Sequence, residues 1–237
     1  MHENRWPQLW RRQKRAWRAG ACKVTFWLAV SARTFGNVSK ASKKMFTDPW
    51  LNRWLPLVLE RADSGPVLEI GCGHGDDTAV LAGAGLKVHA FDLSSVSAGI
   101  TKVRVPTAVV ECRDVREPFP EVASELGVVV ASLSIHYFPW AETQALAGRI
   151  RSALRPGGVL LCRLNSDQDH NFGASGHPEI EPNFFMVKGE PKRFFNEAAI
   201  TSLFAEGWNT LSLEHVVTKK YVRSKALWEV VLERTDT

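Results

Sequence analysis

Five short apolar runs, separated by stretches of helical periodicity, constrain the fold of this chain more than any other feature. Each run is too short for a buried helix and has the residue types of a strand. The runs lie at residues 66–70, 87–92, 107–112, 126–132 and 158–165, and the helix candidates between them at 76–84, 94–102 and 140–154. Strands that are apolar on both faces must be covered on both faces, so the pattern predicts an α/β fold with a parallel sheet between two layers of helices.

The C-terminal part of the chain changes pattern. A helix is predicted at about 196–206, where Asn196 provides an N-cap and Gly207 ends the helix. Two further strands are predicted at 208–217 and 225–233, which we interpret as an antiparallel hairpin at the edge of the sheet.

Residues 47–62, "TDPWLNRWLPLVLERA", predict a helix in front of the first strand. Asp48 is a suitable N-cap and Pro49 suits the first helical position, with Trp50 on the apolar face. Pro56 is expected to kink this helix or divide it in two. We therefore expect a domain at 48–237, preceded by a helical N-terminal extension at 1–47.

The N-terminal region is strongly basic. Residues 1–53 hold twelve lysines and arginines but only two acidic residues, whereas residues 54–237 are net acidic. Tryptophans alternate with arginines there in the manner of an amphipathic basic helix. This helix could pack on the domain or a second subunit, or bind nucleic acid or an anionic surface; a cleaved targeting peptide is disfavoured by the long basic stretch before the apolar residues 24–32.

A glycine-rich turn, "LEIGCGHGDDT" at residues 68–78, follows the first predicted strand. Glycines let the backbone approach a ligand closely. The second strand ends at Asp92, where a carboxylate can accept both hydroxyls of a ribose, and the third ends near Asp114, which could accept an adenine amino group. The sequence thus places one carboxylate for the ribose and one for the adenine at the ends of successive strands.

The charges of this turn argue against a pyrophosphate. Asp76 replaces the third glycine of the nicotinamide fingerprint, and no lysine of a phosphate-binding loop is present. Asp76 and Asp77, with Glu69 nearby, would repel a doubly charged pyrophosphate at a cost of several kcal/mol. A cationic adenosine such as S-adenosylmethionine fits better.

Five segments in order resemble the motifs of class I S-adenosylmethionine-dependent methyltransferases: "VLEIGCGHGDDT", "HAFDLS", "CRDV", "VVVASLSIHYF" and "LRPGGVLL". The resemblance covers roughly residues 50–165. It implies a Rossmann-like, seven-stranded, mostly parallel sheet with a final antiparallel hairpin. It also implies S-adenosyl-L-methionine as the cofactor, held by Glu69, Gly71, Cys72, Gly73, Asp92, Leu93, Asp114, Val115, Ser132 and Leu133.

Methyl transfer from a sulfonium needs alignment and water exclusion, and a general base only if the nucleophile arrives protonated. His136 is the best candidate for that base, although a histidine here could merely brace a loop, and Tyr137 could orient the acceptor or pack on the sheet. The polar segment at 163–171 is interpreted as substrate-facing, the alternative being a solvated loop. Its candidate substrate-binding residues are Arg163, Asn165, Asp169 and His170.

The residues after 163 are similar to those of small-molecule bacterial methyltransferases, which favours a small-molecule acceptor. The alternatives are an RNA or protein methyltransferase that uses the basic N-terminal segment, and a regulatory protein that binds the cofactor without catalysis. Two features weigh against an RNA or protein methyltransferase. The domain is acidic, and the Asn/Asp-Pro-Pro-aromatic tetrapeptide typical of amino-group methylation does not follow the fourth strand. Four widely spaced cysteines favour neither disulfides nor a metal, and no apolar run is long enough to span a membrane, so a cytoplasmic location is expected.

Overall fold

The computed structural model of the protein describes residues 50–236. In this part of the chain the strands are β1 (Pro66–Ile70), β2 (Lys87–Asp92), β3 (Val109–Cys112), β4 (Leu126–Ser132), β5 (Leu154–Asn165), β6 (Glu179–Glu181), β7 (Phe184–Val187), β8 (Glu190–Arg193), β9 (Trp208–Thr218) and β10 (Lys225–Arg234). The helices are α1 (Leu55–Ala62), α2 (Asp76–Gly83), α3 (Ser95–Arg104), α4 (Trp140–Ala153) and α5 (Glu197–Leu203). The extension predicted at 1–47, and the cap formed by Asp48 and Pro49, lie outside the described residues.

Seven strands form one sheet in the order β3-β2-β1-β4-β5-β10-β9. The first five are parallel, and β10 is antiparallel to both of its neighbours. This confirms the predicted parallel sheet with its antiparallel hairpin at the edge. Strand order reverses between β1 and β4, so the crevice at their carboxyl ends is where a doubly wound sheet binds its ligand.

Helices cover both faces of this sheet because the central strands are apolar on both. Val128 and Val130 of β4 pack in the layer that contains α1 and α2, whereas Val129 and Ala131 pack in the layer that contains α4 and α5. All four side chains are fully buried. The alternation in β4 is the period-two geometry of a strand sandwiched between helices.

The described part of the predicted 47–62 helix, residues 50–62, contains two elements rather than one helix. A 3-10 turn covers Asn52–Trp54, and α1 begins directly after it with Pro56 in its first turn. Proline is tolerated there because its missing N–H has no partner within the helix. The predicted division of this segment therefore occurs just before Pro56.

The chain between β5 and α5 forms a separate three-stranded antiparallel sheet, β6-β7-β8. No strand was predicted from the sequence in this region. Its β7–β8 hairpin turns at Lys188 and Gly189, both with positive φ, 52° and 87°. Two consecutive residues of positive φ give the backbone the twist that a two-residue hairpin turn requires. The Lys-Gly pair between an apolar and a charged run is the sequence signal that could have predicted this hairpin.

Packing of α1 on the sheet depends on a glycine. A Cβ at Gly127 in β4 would lie inside van der Waals contact with the backbone carbonyl of Arg61. We expect Gly127→Ala to lower the free energy of unfolding by about 2 kcal/mol, because the overpacked backbone must move. Gly148→Ala is the control, since Gly148 is exposed in α4 with open space around it; it should stabilise by about 0.5–1 kcal/mol. Urea denaturation measures both, and equal stabilities would refute the packing role.

Candidate active site

The glycine-rich turn connects β1 to α2 at the reversal point of the sheet. Gly71 has φ 75°, and a Cβ there would collide with the side chain of Ser134 in the loop after β4. Gly73, with φ 54°, instead has no neighbour within 4 Å of its missing Cβ. The turn is therefore packed tightly against Ser134 at Gly71, whereas open space lies on the Cα side of Gly73, where a ligand can approach.

Asp92 fixes this turn to the end of β2. One carboxylate oxygen accepts a hydrogen bond from the backbone N–H of Gly73 at 2.9 Å, and the other accepts from the N–H of Ser94 at 2.8 Å. The neighbouring Leu93 is 46% exposed at the crevice. The structure thus brings together two of the predicted cofactor positions, Gly73 and Asp92, by a direct contact.

Glu69 is a carboxyl group buried beneath the turn. It is 3% exposed, and its Oε2 accepts a hydrogen bond from the hydroxyl of Thr78 at 2.6 Å. Burial, assisted by the nearby charges of Asp77 and Asp92, raises the pKa of Glu69 from 4.5 to about 8. The group is therefore mostly protonated at neutral pH, and a cation placed beside it would favour the ionised form.

The two aspartates of the turn have different roles. Asp76 pairs with Lys220 at 2.9 Å and with Arg104, and the hydrogen bonds from these two cations lower the pKa of Asp76 to about 2. Asp77 accepts a hydrogen bond from the indole N–H of Trp50 at 2.9 Å. Asp76 is therefore compensated by two cations and adds little net negative charge to the crevice.

The predicted adenine side lies beyond β3. Asp114 accepts a hydrogen bond from the N–H of Arg116 at 2.9 Å and lies 3.5 Å from its guanidinium. Arg149 of α4 donates to the carbonyl of Val115 at 2.8 Å and to that of Glu117, with its guanidinium over the ring of Phe119. Arg149 therefore holds the turn that carries Asp114 and Val115.

The loop after β4 carries the candidate catalytic residues. Leu133 has φ 54°, and its N–H donates to the carbonyl of Arg163 at 2.9 Å. His136 is 3% exposed, its Nδ1 has no hydrogen-bond partner among the described residues, and its ring lies 4.2 Å from that of Tyr137. Burial, with the charges of Lys225 and Lys192, holds the pKa of His136 well below its usual value, and burial raises the pKa of Tyr137 to about 12. Both groups are uncharged at physiological pH.

The polar segment after β5 divides into two parts. Arg163 donates to the hydroxyl of Ser132 at 2.8 Å and lies over the ring of Trp50 at 4.5 Å. Asn165 and Asp169 are buried, and each accepts a hydrogen bond from the ammonium of Lys225 at 2.8 Å. The alternative of a solvated loop does not describe these three side chains, which are almost inaccessible.

His170 lies apart from them. It is exposed, and its Nδ1 lies 3.2 Å from the hydroxyl of Ser175. Of the four candidate substrate-binding residues, Arg163 is the one with described hydrogen bonds to predicted cofactor residues, namely Ser132 and Leu133.

Two residues near the site were not among the predicted ones. Trp50 is 4% exposed and links Asp77 to Arg163, whereas the sequence placed it only on an apolar helix face. Lys225 is buried at the start of β10, where burial lowers the pKa of its ammonium. The sequence signal for its buried contacts with Asn165 and Asp169 is a lysine at the start of an otherwise apolar strand. Within residues 50–236, no group of His, Cys, Asp and Glu side chains could hold a metal ion, and no helix is long and apolar enough to cross a membrane.

Comparison with known proteins agrees with this geometry. Residues 67–158 match the model of a methyltransferase domain family. An uncharacterized methyltransferase of Synechocystis is 31% identical over 110 residues, which cover 45% of this chain and 51% of the relative. A carboxy-S-adenosyl-L-methionine synthase of Geobacter metallireducens is 36% identical over 93 residues, 38% of this chain and 35% of the relative. The chain thus spans about half or less of the length of these curated relatives.

Solved structures share the fold. A methyltransferase of Methanosarcina mazei has a TM-score of 0.63 at 15% identity, covering 76% of this chain and 97% of its own. The 1,6-didemethyltoxoflavin-N1-methyltransferase of Burkholderia thailandensis has a TM-score of 0.60 at 18% identity, covering 81% and 82%. Residues 67–158 thus match a methyltransferase domain family, and the strand order and the solved structures show that this chain has the Rossmann-like fold of such methyltransferases.

Proposed function

We propose that the protein transfers the methyl group of S-adenosylmethionine to a small-molecule acceptor bound at the crevice between β1 and β4. One observation carries the cofactor assignment: Asp92 holds the backbone N–H of Gly73, and its charge also acts on the buried Glu69 under the same turn. The carboxylate of Asp92, with a buried Glu69 that a neighbouring cation would ionise, suits an adenosine that carries a cation and no phosphate.

The cofactor would be held by residues from successive strand ends. Asp92 would accept the ribose hydroxyls, and the turn that contains Asp114 and Val115 would border the adenine. Gly71 and Gly73 would line the methionine portion, with Glu69 beneath them and Ser132 and Leu133 beside the methyl group. When bound, the cofactor supplies an electrophilic methyl group whose departing sulfur needs no proton.

The protein's own contribution to transfer is alignment, exclusion of water and, for a protonated acceptor, proton removal. His136 is suited to accept a proton because its imidazole is neutral across the physiological range. Tyr137 keeps its phenol proton up to high pH and can therefore orient an acceptor as a hydrogen-bond donor. We assign these roles to His136 and Tyr137 as part of the proposal.

A small-molecule acceptor is supported by the cover over the acceptor side. His136 is buried and the small sheet is hydrogen-bonded to its carbonyl, so little open surface remains beside this loop for a macromolecular acceptor. Two structural neighbours are named for small planar acceptors, 1,6-didemethyltoxoflavin and magnesium protoporphyrin IX, at TM-scores of 0.60 and 0.56. At 18% and 14% identity they support only the compatibility of the fold with such acceptors.

The decisive experiment follows the methyl group. Methyl-labelled S-adenosylmethionine is incubated with the full chain and, separately, with the metabolite, RNA and protein fractions of a cell extract. We expect label in the metabolite fraction. Label in RNA or protein would favour the alternative acceptors, and a chemically altered cofactor would indicate chemistry like that named for the Geobacter relative. Cofactor binding without any transfer would favour the regulatory alternative.

Replacing Asp92 tests the proposed ribose contact. Asp92→Ala removes the acceptor for the cofactor's hydroxyls and for the N–H of Gly73, so we expect affinity for S-adenosylhomocysteine to fall about tenfold or more. Isothermal titration calorimetry measures the affinity, and Glu60→Ala is the control because Glu60 is an exposed carboxylate on α1. Unchanged affinity in Asp92→Ala would contradict the assigned contact.

Cofactor binding should release a proton from Glu69. The pKa of about 8 means that the free site is mostly protonated at pH 7, and a sulfonium or ammonium nearby would lower that pKa. We therefore expect affinity for S-adenosylmethionine to rise between pH 6 and pH 8, with release of about one proton at pH 7. Calorimetry in buffers of different ionisation enthalpy counts the protons. Glu69→Gln should release none; equal release by both proteins would show that another group titrates.

A further inference from the structure

The three-stranded sheet is attached to the candidate catalytic loop by one buried arginine. Arg193, the last residue of β8, is 4% exposed. Its backbone N–H donates to the carbonyl of His136 at 2.7 Å, and its Nε donates to the carbonyl of Phe138 at 3.2 Å. One residue of the small sheet thus spans the loop segment that carries His136 and Tyr137.

The remaining guanidinium contacts hold the other side of the small sheet. Arg193 donates to the carbonyl of Pro182 at 3.2 Å and pairs with Glu181 of β6. The same Glu181 oxygen accepts a hydrogen bond from the backbone N–H of Trp140 at 2.9 Å, which begins α4. The ion pair between Arg193 and Glu181 therefore connects β8 to β6, and through these two side chains it also contacts the loop at Phe138 and the start of α4 at Trp140.

Two aromatic rings enclose the guanidinium. Its central carbon lies 4.7 Å from the ring of Phe184 and 5.4 Å from that of Trp140. A planar cation with donors in several directions can contact two rings, two carbonyls and a carboxylate at once, whereas a lysine ammonium cannot reach them all. Because the cluster is buried, losing one partner leaves polar groups unsatisfied.

The same small sheet brings charged residues to the catalytic loop. Lys192, next to Arg193, contributes to the lowered pKa of His136, and Glu190 contributes to the raised pKa of Tyr137. Together with the backbone hydrogen bond from Arg193 to His136, these couplings place the end of β8 beside the two residues. Under the proposed function the small sheet, which we call the roof, therefore borders the acceptor side of the crevice.

We propose that Arg193 is a positioning residue: it fixes the backbone at 136–138 and thereby sets the acceptor geometry, while leaving cofactor binding to the opposite side of the crevice. The proposal rests on the proposed function in one respect, namely that the acceptor binds beside the loop at 136–138. The contacts of Arg193 are made with carbonyl groups of the loop and with the roof, and none is with the glycine-rich turn.

Arg149 provides a matched control for the cofactor side. Like Arg193, it donates to two backbone carbonyls and lies over an aromatic ring, but those carbonyls belong to Val115 and Glu117 near the predicted adenine position. Arg151 provides a second control, because it donates to the carbonyl of Glu206 far from the crevice. Lysine at each position keeps the charge and removes the fork of donors.

The experiment compares Arg193→Lys, Arg149→Lys and Arg151→Lys in the full chain. Amide hydrogen exchange of residues 134–140 and modification of His136 by diethyl pyrocarbonate are read by mass spectrometry, with exposed His170 as internal reference. Calorimetry with S-adenosylhomocysteine gives cofactor affinity. We expect Arg193→Lys to speed exchange and His136 modification about fivefold or more, with affinity within about twofold of wild type. Arg149→Lys should weaken affinity without changing His136, and Arg151→Lys should change neither.

A chemical rescue separates positioning from general stability. Arg193→Ala leaves room for a guanidinium ion, so millimolar guanidinium chloride should slow His136 modification again and, where label transfer to the metabolite fraction is detected, restore part of its rate. Sodium chloride at the same concentration should not. Unchanged loop exchange in Arg193→Lys, or an equal loss of cofactor affinity, would overturn the proposal. A wild type that transfers no label would refute the proposed function while leaving the exchange and modification results to decide the role of Arg193.

Discussion

A carboxyl group buried at the end of the central strand sets the character of the crevice. Burying Glu69 disfavours its charge, so the free site keeps a proton that an exposed glutamate would release. The hydroxyl of Thr78 donates to one oxygen of Glu69, and the turn above it leaves open space beside Gly73. The site is thus prepared for a ligand that brings its own positive charge, because such a ligand would ionise Glu69.

Most of the main sheet could be predicted from sequence because each central strand is buried on both faces. A strand such as β4 then reads as a continuous apolar run, and the pattern does not depend on its neighbours. The three-stranded sheet could not be predicted in this way. Its strands have three or four residues, two of them interrupted or flanked by prolines, and their pairing depends on the Lys188-Gly189 turn and on contacts of Arg193.

The candidate site shows the same division. Gly73 and Asp92 were identifiable because local motifs at strand ends meet at one edge of any parallel sheet, and the structure joins them by a hydrogen bond. The contacts of Lys225 with Asp169, and of Trp50 with Asp77, connect residues 56 and 27 positions apart. No local pattern encodes such pairs, since they arise only when the hairpin and the segment before α1 have packed onto the sheet.

The small sheet is joined to the rest of the domain by few structural elements. Its strands hydrogen-bond in their ladders only with one another, and it lies between β5 and α5 without interrupting the order of the main sheet. An insertion of this kind can change in length and side chains while the seven-stranded scaffold and its glycine-rich turn stay intact. Under the proposed function, the contacts to the acceptor could then change in evolution without changes in the residues that bind the methyl donor, provided that a residue in the place of Arg193 continues to join the small sheet to the loop at 136–138.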